Sequence, residues 1–201
     1  MTTTFDEAYR RVEPVFGLEP DPVLARLVLN QQLHGRALDL GAGDGRNSLF
    51  LAAQGFTVEA VDLSRAAVEK LKQLAGRRKL PIHADVCDLC EAGKITGAYD
   101  IIVADTVLCH LPARETARLA QEISTSLQPG GWLYVAAFSD DDPRESEFAP
   151  LIETYFTVET LCTLFSDLRH ERCDQVHVVD NRHGCRHRHV LVRLIAQKEG
   201  R

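Results

Sequence analysis

The sequence lacks an apolar run long enough to span a bilayer, and its first residues combine neither a basic start nor a hydrophobic segment. It also lacks a surplus of positive charge, since 23 lysines and arginines stand against 29 aspartates and glutamates. Such a balance gives no general attraction for phosphate backbones. We therefore expect a cytoplasmic monomer or homodimer that acts on a small molecule, without nucleic acid or a membrane as partner.

A complete metal or redox motif is missing as well. Cys87 and Cys90 have C-x-x-C spacing, but no second pair and no nearby paired histidine accompanies them. In a reducing compartment the six cysteines of the chain are expected to be free thiols. A second tract of possible ligands contains His183, Cys185, His187 and His189. A preformed site needs further ligands at fixed geometry, so we predict no metal site and leave this tract open.

The most informative segment that is present runs from Ala37 to Asn47. An apolar strand leads there into glycines at positions 41, 43 and 45, and then into a helix. Alternate glycines allow a left-handed backbone and let a ligand lie against the main chain. The spacing differs from the G-x-G-x-x-G of turns that bind a pyrophosphate. Asp39 and Asp44 would repel a pyrophosphate and would suit an ammonium group. S-adenosylmethionine, with its ammonium, sulfonium and ribose, fits these requirements, whereas a turn without ligand is the alternative.

A second apolar strand ends in a carboxylate at Asp62. A carboxylate in this place can accept hydrogen bonds from both ribose hydroxyls, as in dinucleotide-binding folds. A capping role is the alternative for Asp62. Ser64 follows as a candidate N-cap, because apolar residues recur beyond it at the spacing of one helix face.

The rest of the chain alternates strand-like and helix-like segments. We predict strands near 37–40, 57–62, 81–84, 99–104 and 132–138, with helices at 46–54, 64–78 and 113–127. This alternation indicates a Rossmann-like, doubly wound α/β sheet with helices on both faces. Two further strands, near 173–179 and 188–196, are joined by too short a link for a parallel crossover, so they should close the seven-stranded sheet as an antiparallel hairpin.

We expect residues 1–201 to form one domain. It would consist of an N-terminal helical cap at 1–33, a cofactor-binding core at 37–138, and a substrate-side loop, helix and hairpin at 139–201. The cap should be helical in two pieces, because prolines and a glycine interrupt residues 14–22.

Five motifs occur in an order that resembles the class I S-adenosylmethionine-dependent methyltransferases. They are Leu38 to Gly45, Val61-Asp62, Asp85, Tyr99 to Ile102 and Leu127 to Gly131. Within that superfamily, the run from Leu40 to Ala52 with its Gly-Arg-Asn-Ser is similar to the tellurite-resistance methyltransferases of the TehB type. The end of the chain, with His177, Asp180, Gly184 and Arg186, is similar to that family's closing hairpin.

The resemblance implies a cofactor site at the ends of the strands. The three glycines would border the methionine part, Asp62 would hold the ribose, and Asp85 with Val86 would contact the adenine. The full set of candidate cofactor-binding residues is Asp39, Gly41, Ala42, Gly43, Gly45, Arg46, Asn47, Asp62, Leu63, Asp85, Val86, Asp105 and Thr106.

The acceptor side is less well defined by the sequence. Asp105, His110 and His177 are candidate catalytic bases, and Arg186 is a candidate anion ligand. The family places an arginine directly after the histidine of the first hairpin strand, whereas here Val178 follows His177. We expect a methyltransferase acting on a small molecule, such as a thiol or a chalcogen oxyanion like tellurite or selenite. A non-catalytic S-adenosylmethionine sensor and an NAD-dependent oxidoreductase are the alternatives.

Overall fold

The protein is represented by a computed structural model, which describes residues 4–180 and 186–200. Its strands are β1 (Arg36–Leu40), β2 (Thr57–Asp62), β3 (Ile82–Val86), β4 (Tyr99–Asp105), β5 (Leu127–Phe138), β6 (Arg169–Asp180) and β7 (His187–Gln197). They form one seven-stranded sheet in the order β3-β2-β1-β4-β5-β7-β6. Strands β1 to β5 pair in parallel, and β7 is antiparallel to both β5 and β6. The predicted fold class, including its closing hairpin, is confirmed.

The helices are α1 (Phe5–Tyr9), α2 (Pro22–Asn30), α3 (Arg46–Ala53), α4 (Arg65–Arg78), α5 (Ala113–Ser126) and α6 (Val158–Leu164). Helix α2 begins where Asp21 accepts hydrogen bonds from the backbone of Val23 and Leu24, with proline in its first turn. The predicted cap of α4 is present, because the Ser64 hydroxyl accepts the amide of Ala67 at 3.2 Å. Within the described residues, none of these helices is long and apolar enough to cross a membrane.

Strand β5 begins earlier than its apolar run predicts. Leu127 already pairs with Tyr99, and the register shifts before Trp132 continues the ladder. Gly131 permits this close pairing, because a Cβ there would stand 2.9 Å from the carbonyl oxygens of Gln128 and Tyr99. The predicted strand therefore covers only the second part of β5.

The core lies on both faces of the sheet. One face packs against α5 and α6, and the other packs against α2, α3 and α4. Since the central parallel strands are covered on both sides, they read as continuous apolar runs. Their carboxyl ends meet at one edge, which we call the carboxyl edge, and the glycine turn opens there.

Candidate functional site

The turn between β1 and α3 depends on three glycines. Gly41, Gly43 and Gly45 have φ angles of 66°, 54° and 91°, all in the left-handed region. A Cβ on Gly41 would lie 2.5 Å from a methyl of Val107, and one on Gly45 would lie 2.3 Å from a methyl of Leu71. Side chains are therefore excluded for both reasons, so no Cβ stands between the main chain of this turn and its neighbours; Gly43 and Gly45 are buried, and Gly41 is half-buried.

Asp62 ties the glycine turn to the end of β2. Its carboxylate accepts the amides of Gly43 and Ser64, each at 2.8 Å. Burial raises the pKa of Asp62 against these two hydrogen bonds, which lower it. Each oxygen keeps a second lone pair, so the carboxylate can still accept hydrogen bonds from a ligand. The cap and the ligand-binding interpretations of Asp62 are therefore compatible.

Asp39 lies beneath the same turn and is almost completely buried. Its carboxylate accepts the hydroxyl of Ser48 at 2.6 Å. Burial raises the pKa of Asp39 to about 7, against the hydrogen bond from Ser48, and the negative charges of Asp105 and Asp62 add to that rise. Two carboxylates, Asp39 and Asp62, thus lie under the turn without an ion pair among the described residues. Because its pKa is about 7, Asp39 is only partly ionised near neutral pH, and a cationic ligand would favour its ionised form.

Arg46 and Asp105 pair with each other rather than standing apart. The amide nitrogen of Asn47 donates to the same Asp105 oxygen at 2.9 Å. Asn47 in turn accepts the backbone amide of Asp21, whose carboxylate pairs with Arg193 at 2.9 Å. This buried chain joins α3 to β4, α2 and β7. Asp105 is thereby held by two donors, which fix its carboxylate against α3.

The far side of the carboxyl edge carries a groove of mixed polarity, with two exposed apolar side chains among charged ones. Leu63 after β2 is 69% exposed and Val86 at the end of β3 is 44% exposed. Both line a groove of about 510 Å³ together with Asp85, which contacts His83 at 2.8 Å. Ala42 is buried in the turn and donates its amide to the carbonyl of Val61 at 3.0 Å.

The end of β4 turns sharply toward the middle of the edge. Thr106 has a φ of 59°, a left-handed conformation that is rare for a residue other than glycine. Its amide donates to the carbonyl of Ala136 at 2.7 Å. This strained residue leads into a 3₁₀ turn, Leu108–His110, that brings His110 to the same edge.

His110 has a defined environment. Its Nδ1 lies 2.8 Å from the carbonyl oxygen of Leu151, and since a carbonyl only accepts, Nδ1 carries the proton. Burial lowers the pKa of His110, against the carbonyl contact, which raises it. The ring is thus neutral at pH 7, with the lone pair on Nε2, which is the form that accepts a proton.

Aromatic rings from distant parts of the chain pack together beside His110, and one of them, Phe5, contacts it. We call Phe5, Tyr9, Phe16, His110 and Phe148 the aromatic cluster. Phe5 meets His110 edge to face at 4.8 Å between ring centroids, and it stacks on Phe148 at 5.1 Å. Phe16 contacts both Tyr9 and Phe148. The cluster gives this part of the edge an apolar lining with one imidazole.

The hairpin candidates lie elsewhere. His177 is exposed on β6, the outermost strand, and Arg186 is exposed just before β7. The rings of His187 and His189 meet at 4.7 Å, and His189 lies 3.2 Å from the carboxylate of Asp142. The other two members of the tract, His183 and Cys185, lie outside the described residues. Within 4–180 and 186–200, no group of three or more His, Cys, Asp or Glu side chains has the arrangement of a metal site.

Sequence reasoning missed the partners of the glycine turn. Tyr9 packs on Gly43, and Lys70 pairs with Asp44, which we had expected to face a ligand. No local sequence pattern predicts these two contacts. The capping box of Thr4 and Glu7 stabilises the start of α1, but it does not indicate where that helix packs.

The sheet order, the glycine turn and the carboxylate at the end of β2 define the Rossmann-like fold of class I S-adenosylmethionine-dependent methyltransferases. The crystal structure of TehB from Haemophilus influenzae has this fold, with a TM-score of 0.78 at 21% identity over 89% of this chain and 62% of that one. The family described as tellurite resistance protein TehB matches residues 28–167. The chain belongs to this family, as its motifs predicted.

Two curated relatives extend the comparison. A probable S-adenosyl-L-methionine-dependent methyltransferase TehB of Haemophilus influenzae is 32% identical over 108 residues, which are 53% of this chain and 37% of that protein. The 2-heptyl-1-hydroxyquinolin-4(1H)-one methyltransferase of Mycobacteroides abscessus is 26% identical over 154 residues, 71% of this chain and 68% of that protein. The chain thus spans little more than a third of the length of the TehB relative.

Proposed function

We propose that this chain is an enzyme that transfers the methyl group of S-adenosylmethionine to a small acceptor at the carboxyl edge. The observation that carries the proposal is the turn of three left-handed glycines over one buried and one half-buried carboxylate, Asp39 and Asp62, neither of which has an ion pair in the part of the chain that the structure describes. A pyrophosphate would add negative charge to this place, which disfavours an NAD-dependent oxidoreductase. A ligand with an ammonium and a sulfonium supplies the missing positive charge.

The cofactor would extend along the edge from the turn to β3. Its methionine part would lie on the main chain of Gly41 to Gly45, and its ribose hydroxyls would donate to Asp62. The adenine would enter the groove between Leu63 and Val86, with Asp85 among the charged residues that also line it. Exposed apolar side chains at this point are explained by a flat, apolar ligand that covers them.

Methyl transfer requires that the acceptor is aligned with the methyl group and that the acceptor loses one proton. When bound, S-adenosylmethionine supplies a methyl group on a positively charged sulfur, and the sulfur leaves with the electron pair of the broken carbon–sulfur bond. The acceptor loses the proton of its hydroxyl or thiol, and Nε2 of His110 is the group placed to take it. The aromatic cluster excludes water from this exchange.

We further propose that the acceptor carries its hydroxyl or thiol on an apolar, ring-shaped body. The aromatic cluster suits such a body, and Arg46 and Arg193 on this side of the sheet are each paired with a carboxylate. The Mycobacteroides abscessus relative is named for an acceptor of this kind. A chalcogen oxyanion is the second candidate, supported by the family's description and by the exposed Arg186.

Calorimetric titration with S-adenosylhomocysteine tests the cofactor site. We expect micromolar binding to the unaltered chain and none of NAD. Asp62→Ala should weaken binding by about 1 to 3 kcal/mol, because it removes buried acceptors of hydrogen bonds. Glu69→Ala, an exposed carboxylate on α4, serves as the matched control and should bind normally. A folded, unaltered chain that binds no S-adenosylhomocysteine would contradict the proposal.

Turnover assays test the proton acceptor and the acceptor class. A panel of aromatic hydroxyls, aromatic thiols, tellurite and selenite should show methylation of the aromatic compounds first. His110→Gln should lower kcat by about a hundredfold or more, as loss of a general base does. His34→Gln, whose Nδ1 also lies near a carbonyl oxygen but before β1, is the control.

The pH dependence provides a second readout for His110. Burial lowers the pKa of His110. The pH below which kcat falls should therefore lie below the ordinary pKa of histidine. Full activity of His110→Gln on the best acceptor would exclude this residue as the base. Turnover of tellurite alone would exclude the aromatic acceptor, and silence across a broad panel would favour a cofactor sensor.

A further inference from the structure

The proposed cofactor seat is covered by the chain's own N-terminal segment. Tyr9, at the end of α1, is buried, and its hydroxyl would lie 2.6 Å from a Cβ placed on Gly43. The aromatic ring therefore rests directly on the main chain of the glycine turn. A ligand that runs along this turn has to share its space with Tyr9 or displace it.

The segment is fastened at two places. At the first, Asp6 accepts the hydroxyl of Ser64 at 2.7 Å and the amide of Ala66 at 3.2 Å, at the N-terminus of α4. The favourable end of the helix dipole adds to this contact. This anchor fixes α1 itself.

The second place is a clasp between the glycine turn and α4. The Lys70 ammonium donates to the carbonyls of Arg11 and Glu13, each at 3.0 Å, and pairs with Asp44 at 3.1 Å. The other oxygen of Asp44 accepts the backbone amide of Val15. Asp44 is 2% exposed and Lys70 is 17% exposed, so the pair is sheltered from solvent screening. The carboxylate of Asp44 and the ammonium of Lys70 thus both bind backbone groups of the N-terminal segment.

The middle of the segment is exposed, whereas both of its ends are packed. Arg10, Arg11 and Val12 are exposed, and Val12 is 90% exposed. Tyr9 and Val15 on either side are buried in one apolar cluster, and the lower end is also joined to the glycine turn by charged hydrogen bonds. Lifting the segment therefore requires that this packing and these hydrogen bonds open together.

We propose that residues 5–16 form a strap that lifts from the glycine turn when the cofactor enters or leaves, and that Asp44 and Lys70 set the rate of this exchange. This inference rests on the proposed function, because it takes the glycine turn as the cofactor seat. It assigns Asp44 and Lys70 as positioning residues, which act through the strap rather than by touching the methyl group.

A chase experiment on the full chain measures the exchange. The protein is loaded with tritium-labelled S-adenosylmethionine, and dissociation is followed after excess unlabelled S-adenosylhomocysteine is added. Lys70→Met, which keeps the stem and removes the donors, should raise the dissociation rate by about tenfold, with a smaller change in Kd since entry is also faster. Asp44→Asn should act in the same direction. Arg77→Met, an exposed cation on the same helix, should change the rate by less than about twofold.

Hydrogen exchange gives a readout that a purely structural role would not move. The amides of residues 9–15 should exchange more slowly with S-adenosylhomocysteine bound, and faster in Lys70→Met without loss of protection in the sheet. Dissociation rates equal to the unaltered chain in both clasp variants would overturn the strap alone. A folded, unaltered chain that binds no labelled cofactor would overturn the proposed function, and the strap with it.

Discussion

At the scale of single residues, four carboxylates near one turn have different tasks because they have different partners. Asp105 is paired with Arg46, and Asp44 is paired with Lys70. Asp39 and Asp62 receive hydrogen bonds from neutral donors instead. The first two are therefore neutralised by cations of the protein, whereas Asp39 and Asp62 have no cationic partner among the described residues. The residue types alone do not distinguish these roles.

Asp39 should make stability depend on pH. Its pKa of about 7 in the folded chain lies above the ordinary value of 3.8, so the protonated form stabilises the fold. This contribution is complete at low pH and is lost as the pH rises through the folded value. Asp39→Asn should remove the dependence, and urea denaturation at about pH 5 and about pH 8 measures it. Glu69→Gln is the control, and an unchanged pH profile in Asp39→Asn would contradict the assignment.

At the scale of elements, the periodic and apolar segments were predicted well. The strand over 57–62 matches β2, and the helix over 64–78 matches α4 to within one residue. Errors fall where long-range pairing extends an element, as in the first residues of β5. Local patterns record which face is buried, but not how far a neighbouring strand continues the ladder.

The contact of α3 with α4 depends on the absence of a side chain at Gly45. Gly45→Ala should destabilise the chain by about 1 to 3 kcal/mol more than Gly55→Ala. Both residues have left-handed φ angles, but a Cβ on Gly45 meets Leu71, whereas nothing lies within 4 Å of one on Gly55. The difference thus isolates the steric contact from the backbone strain. Urea denaturation of both variants measures it, and equal losses would show that Leu71 moves aside.

At the scale of the whole molecule, the proposed site is assembled from distant segments. The aromatic cluster combines the N-terminal segment, the turn after β4 and the loop that carries Phe148. Arg193 in the last strand pairs with Asp21 at the start of α2. The proposed acceptor side therefore combines segments that are far apart in the chain. Trimming the N-terminal segment would remove both the strap and part of this lining.

The sequence by itself determined the fold class, the glycine turn and the carboxylate of Asp62 at the end of β2. These features follow from local rules: strand and helix periodicity, and the left-handed backbone that glycine permits. Only the tertiary structure decided which charges are paired, that His110 rather than His177 lies within the aromatic cluster, and that Tyr9 covers Gly43. The reason is that partners of side chains come from segments far apart in the chain, whose meeting depends on packing and not on spacing.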